Sequence, residues 1–132
     1  MDTRRLWRIT LFALAGCASF AVAANAENAA PAVRLLVQSS ALAGYRHHAA
    51  LEVWPELRVG DALELAHEAD NPHDPNAVSL WWRGRKLGYV PRRENAALAW
   101  GLERGEALKA RISRLAPHPN PARRIEFEVY AE

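Results

Sequence analysis

Asn71-Pro72-His73-Asp74-Pro75-Asn76-Ala77 is the stretch from which the fold can be worked out. Each proline fixes its own φ and pushes the residue before it away from helix. Asn and Asp side chains bond to nearby backbone amides and hold tight turns. The stretch therefore reads as a stiff loop that presents a few polar groups in set directions. A pre-shaped loop between two strands is a natural place for a ligand, although many such loops only connect.

Working outward, Ala62 to Ala69 alternates, with Leu63 and Leu65 on one side, and reads as a strand. Ala77 to Arg83 reads as its partner, with Val78, Leu80 and Trp82 inward. Trp81 and Trp82 cannot both face inward from one regular strand; one is expected in the core, and the other to pack under the helix or to stand exposed as a stacking platform. Arg83-Gly84-Arg85 is a tight hairpin turn, and Lys86 to Val90 is the return strand. Pro91 to Arg104 reads as a helix closed by Gly105. Ala107 to Leu115 and Arg124 to Tyr130 alternate again, with Leu108, Ala110 and Ile112, then Ile125, Phe127 and Val129, inward. Upstream, Val33 to Gln38 is expected as a strand with Val33, Leu35 and Val37 on one side. Ser39 to His48 is expected as loop, Ala49 to Trp54 as a short strand, and Arg58-Val59-Gly60-Asp61 as a turn. The fold class predicted is mainly β: a small OB/SH3-like β-barrel of about six strands with one or two short helices.

The first residues have a different character. Arg4, Arg5 and Arg8 stand against one acid, Asp2, and residues 9–26 carry no charge. The run ends Ala24-Asn25-Ala26, the small-x-small pattern of an export-signal cleavage site. Residues 1–26 are expected to be a signal peptide, 27–32 a short linker and 33–132 the domain. Leu14-Ala15-Gly16-Cys17 resembles a bacterial lipobox, so lipidation at Cys17 is the alternative. Either route exports the protein, with a periplasmic destination expected and membrane contact only through the leader or a lipidated Cys17.

Setting the leader aside changes the charge argument. Three of the 17 cations and one of the 15 acids lie in it, so residues 27–132 carry 14 of each. Overall basicity is thus no argument for nucleic acid. The same 106 residues hold no cysteine, so no disulfide supports them. They suffice for one domain with one core. The charges are nonetheless sorted: residues 52–74 hold seven acids and one base, Arg58, whereas 83–93 hold five bases and no acid.

The run from Gly44 to Leu115 resembles a HIRAN domain. The resemblance is carried by Arg58-Val59-Gly60-Asp61, by Asn71 to Val78, by Lys86-Leu87-Gly88-Tyr89-Val90-Pro91-Arg92, by Asn95 and by the segment from Gly105 to Ile112. It implies a small barrel related to OB and SH3-like folds. Resemblance to helicase-associated members implies binding of single-stranded DNA, preferentially at a free 3′ end. No motor accompanies this sequence, so hydrolysis and zinc modules are not implied. In the family, an Arg-aromatic-aromatic element and an Asn-Pro-aromatic-Asp loop form the pocket. Aromatics stack on bases, and the carboxylate accepts a hydrogen bond from the terminal hydroxyl. Asn71 and Asp74 match directly, and Arg46 matches the basic position. His47, His48 and His73 stand where tyrosines are usual. Histidine can stack on a base with a smaller ring. Protonated, it can also meet phosphate, so binding is expected to strengthen as pH falls through about 6.5. Lys86, Arg92 and Arg93 are expected on backbone phosphate, giving a salt-dependent affinity.

Other functions find less support. Ser39, Ser40, Ser79 and Ser113 stand in no nucleophile-elbow pattern, and no glycine-rich phosphate loop is present. No H-x-H or H-E-x-x-H occurs among His47, His48, His67, His73 and His118. The expectation is a monomer that is not an enzyme and needs no cofactor or metal. The alternative to DNA binding is a cell-envelope binding or assembly module that keeps the barrel but takes another ligand or an envelope protein's strand.

Overall fold

The structure, a computed structural model, describes residues 33–132. The expected signal peptide (1–26), with the lipobox-like stretch at Cys17, and the expected linker (27–32) lie outside the described residues. Six strands form one antiparallel sheet: β1 (Leu35–Ala41), β2 (Ala62–His67), β3 (Val78–Trp82), β4 (Arg85–Tyr89), β5 (Leu108–Leu115) and β6 (Ile125–Ala131). Their order is β1-β6-β5-β2-β3-β4. Two short α-helices accompany them, α1 (Ala50–Val53) and α2 (Ala96–Glu103). This is the mainly β, OB-like architecture expected.

The sheet does not close as a continuous ladder. Beyond the end of β1, Ala43 exchanges both backbone hydrogen bonds with Tyr89 of β4, each at 2.9 Å. A single bridge thus joins the two edge strands. It requires a very close approach: a Cβ on Gly88 would lie 2.2 Å from the carbonyl oxygen of Ala43. Glycine is there because no other residue leaves room for the crossing backbone.

Alternation explains the core. Ile125, Phe127 and Val129 of β6 face Ala110 and Ile112 of β5, and Val78, Leu80 and Trp82 of β3 complete the wall with Leu87. Leu42, Tyr45, Val53, Leu57 and Leu98 cap it. Arg83 and Gly84 make the two-residue β3–β4 turn with φ of 46° and 78°. Both values are positive, as a turn matching strand twist requires. Trp82 is buried and donates its indole N–H to Asp61 Oδ2 at 3.1 Å. Trp81 lies on the other face, where its N–H reaches Ser79 Oγ at 2.9 Å and the Lys86 ammonium stands 5.4 Å from its ring.

Three expectations are corrected. Ala49 to Trp54 is helical, not extended. Its buried residues, Ala50 and Val53, are three apart, the spacing of a helix face; Pro55 then opens a turn of 3₁₀ helix. The first strand begins and ends later than expected. Val33, Leu35 and Val37 are exposed, and burial starts at Ser40 and Leu42. The register slips between Leu36 and Gln38, so Val37 is an extra residue in a bulge and the apolar alternation carries no inward face. Finally, the segment after Pro91 first makes one 3₁₀ turn, Arg92–Glu94, and α2 begins only at Ala96.

Candidate functional site

The loop after β2 is built by its own side chains. Asn71 Oδ1 accepts from the backbone N–H of His73 at 2.9 Å and of Asp74 at 3.2 Å. Asp74 Oδ1 accepts from Asn76 N–H at 2.9 Å. Successive Asx bonds of this kind fix the direction of both side chains. His67 Nε2 lies 2.8 Å from the Pro75 carbonyl and ties the far side of the loop to β2.

Asp74 is turned inward, with its side chain 17% exposed. Asn95 Nδ2 donates to its Oδ2 at 2.8 Å, and Arg92 Nε stands 3.9 Å from the same oxygen. The Asn95 and Asn76 donors, helped by Arg92 and opposed by burial, hold the carboxyl below its ordinary pKa. It is ionised at neutral pH. Asn95 is itself 3% exposed and occupies the residue before α2, where an Asn side chain usually caps the helix. Its side chain makes no cap bond here; its Nδ2 donates to Asp74.

A cleft of about 280 Å³ opens over this carboxylate. Asn71, His73, Asp74, Arg92 and Asn95 supply its polar lining, and Ala43, Ala77, Tyr89 and Val90 its apolar walls. Behind it stands a compact polar cluster. Glu68 accepts from Lys86 Nζ at 2.8 Å, Tyr89 Oη at 3.0 Å and Asn71 Nδ2 at 3.2 Å. Burial alone would raise the Glu68 pKa, but its hydrogen bonds, led by Lys86, bring it from 4.5 to about 2. The same hydrogen bond to Glu68 raises the Lys86 pKa.

Of the residues expected at a site, Asn71, His73, Asp74 and Arg92 thus meet in one cleft. Arg46 and His47 line a second cleft of about 360 Å³, with Gly44, Tyr45, Asn120 and Ala122. Leu42 and Gly44 border the second cleft and Ala43 the first, so residues 42–44 are their shared wall. His48 lines neither. Its ring packs edge-on against Tyr89 at 5.2 Å, and burial, then the nearby Lys86 and His47, lowers its pKa. Lys86 is held in the Glu68 cluster behind the first cleft, and Arg93 is exposed beside Arg92 but outside the lining. Among the described residues, no group of three or more His, Cys, Asp or Glu is placed to hold a metal, and no helix is long and apolar enough to cross a membrane.

Sequence reasoning did not place Tyr89, Asn95 and Glu68 at the site. Tyr89 and Asn95 belong to the stretches that carry the family resemblance, which was the available signal. Glu68 had none, because its role depends on Lys86 and Tyr89, both distant in sequence.

No curated protein matches the chain. Among solved structures, a protein from Lactobacillus plantarum is similar at 26% identity and a TM-score of 0.65, over 75% of this chain and 95% of that one. The HIRAN domain of human HLTF is similar at 14% identity and a TM-score of 0.54, over 75% of this chain and 80% of that one, a likeness of fold alone. The family model for the HIRAN domain matches residues 35–132, from the first strand to the last residue. That match covers all six strands and both clefts, and the chain accordingly belongs to the HIRAN domain family.

Proposed function

We propose that this domain is a non-catalytic nucleic-acid-binding module that seats the 3′ end of single-stranded DNA in the Asp74 cleft. The observation that carries the reading is an ionised, largely buried carboxylate at the floor of a small, partly apolar cleft with a guanidinium beside it. An ionised carboxylate only accepts hydrogen bonds. Donors from Asn95 and Asn76 occupy one site on each oxygen, so the carboxylate can still accept from a ligand. A terminal hydroxyl suits it, and a terminal phosphate in the same place meets like charge. Tyr89, Val90 and Ala77 offer the apolar surface a base or sugar needs, and Arg92 can meet the preceding phosphate. His73 at the rim and His47 in the second cleft are the stacking and phosphate-facing groups, with Arg46; His48 supports Tyr89. An exported form of the domain would meet incoming or extracellular DNA.

The test is fluorescence anisotropy with oligonucleotides ending in 3′-hydroxyl or 3′-phosphate. The hydroxyl end is expected to bind at least tenfold more tightly, and Asp74→Asn to erase most of that preference. Equal affinity for both ends removes the role given to Asp74. No binding to either leaves the envelope-module reading, for which the exposed Leu35 and Leu36 of β1, an outer strand among the described residues, are the surface to examine.

A further inference from the structure

We infer that the β5–β6 loop carries a phosphate-binding segment that extends the strand path beyond the two clefts. The inference rests on the nucleic-acid reading above and adds a subsite to it. Asn120, Pro121 and Ala122 line the cleft that holds Arg46 and His47. Their neighbours His118 and Arg123, with Arg114, Ala116 and Glu126, line a third depression of about 290 Å³. One loop therefore lines both depressions.

The loop is built to hold its shape. Pro117, Pro119 and Pro121 restrict it. Ala116 N–H donates to the Arg124 carbonyl at 2.9 Å, and Arg124 Nε donates to the His118 carbonyl at 2.6 Å. Asn120 N–H donates to His118 Nδ1 at 2.9 Å, and Ala122 N–H to Asn120 Oδ1 at 3.0 Å. The bond to Nδ1 fixes the tautomer: neutral His118 carries its proton on Nε2, a donor left for a ligand.

The loop itself is basic. Residues 107–124 hold five cations and no acid. Arg114 and Arg123 are exposed. The one carboxylate in the depression, Glu126, lies 3.8 Å from Arg114, a loose contact that an incoming phosphate can displace. Two guanidinium forks and an imidazole N–H around a polar depression suit phosphodiester oxygens, which guanidinium binds in bidentate fashion.

The experiment titrates the full-length protein with oligothymidylates of two, four and eight nucleotides, each with a free 3′-hydroxyl, across a salt series. Affinity is expected to rise at least tenfold from two to eight nucleotides. In the Arg114→Gln/Arg123→Gln variant the part of this gain between four and eight nucleotides is lost, while dinucleotide affinity stays within twofold of wild type. For two phosphate contacts on a single strand, the slope of log affinity against log salt should flatten by about 1.4. A double variant that binds the octamer as wild type does, with the same slope, overturns the inference and leaves the terminal-nucleotide site standing. Wild type that binds no oligonucleotide overturns both. Competition by a polyglutamate peptide as strong as by the octamer would assign the depression to acidic proteins instead.

Discussion

Glu68→Gln tests whether the cluster behind the cleft supports the domain by charge. The Glu68 pKa falls from 4.5 to about 2 on folding. At about 1.4 kcal/mol per pH unit, this bounds the ionised form's contribution at about 3.4 kcal/mol. The side chains of Glu68 and Lys86 are 24% and 25% exposed, so solvent screening reduces this to about 2 kcal/mol. Gln is nearly isosteric and can still accept from Asn71 and Tyr89, but it places an amide N–H₂ against the Lys86 ammonium. The expected loss at pH 7 is about 2 kcal/mol by urea unfolding, or about 8–15 °C in Tm for an ordered domain of this size. The pH dependence follows from a depressed carboxyl. Its contribution is complete above about 4.5 and is lost as pH falls toward 2. At pH 2.5 about a quarter should remain, so wild type and variant converge there. A variant within 0.5 kcal/mol of wild type at pH 7, or a gap as wide at pH 2.5 as at pH 7, refutes the reasoning.

Two further substitutions probe the frame of the site. Gly88→Ala would drive a methyl into the Ala43 carbonyl, and because the obstacle is backbone, the bridge between β1 and β4 should break at a cost of about 2–3 kcal/mol; amide exchange at Ala43 and Tyr89 should accelerate, and unchanged protection would show that the bridge tolerates the methyl. Tyr45→Phe removes a buried hydroxyl that has no hydrogen-bond partner among the described residues, so unfolding free energy should stay level or rise by up to about 1 kcal/mol; a loss larger than 1 kcal/mol would mean the hydroxyl is bonded after all.

The parts of the fold legible in the sequence were those governed by local rules. Strict alternation in β5 and β6 gave their inward faces correctly, and Arg83-Gly84 marked its hairpin. The first strand misled because its apolar alternation lies on an exposed edge, where a bulge at Val37, not burial, sets the register. The segment at Ala49 misled because Leu51 and Val53 fit a strand, while the decisive pair, Ala50 and Val53, needed the core to be seen. At the site, the Asn-Pro-His-Asp loop announced itself through turn chemistry. The grouping of Arg46 and His47 with the distant Asn120 and Ala122, apart from Asp74, is a product of how β1 crosses to β4, which no local pattern encodes.

Asn95 stands at a fork. Its Nδ2 steadies Asp74, and in that orientation its Oδ1 makes no bond to the first turn of α2. Breeding this protein for heat resistance alone would reward Ser or Thr at 95, which cap well but are too short to hold that carboxylate. The hardier descendants would keep the barrel and lose the grip, so a thermostable homologue with a hydroxyl residue at this place is where an idle cleft should be sought first.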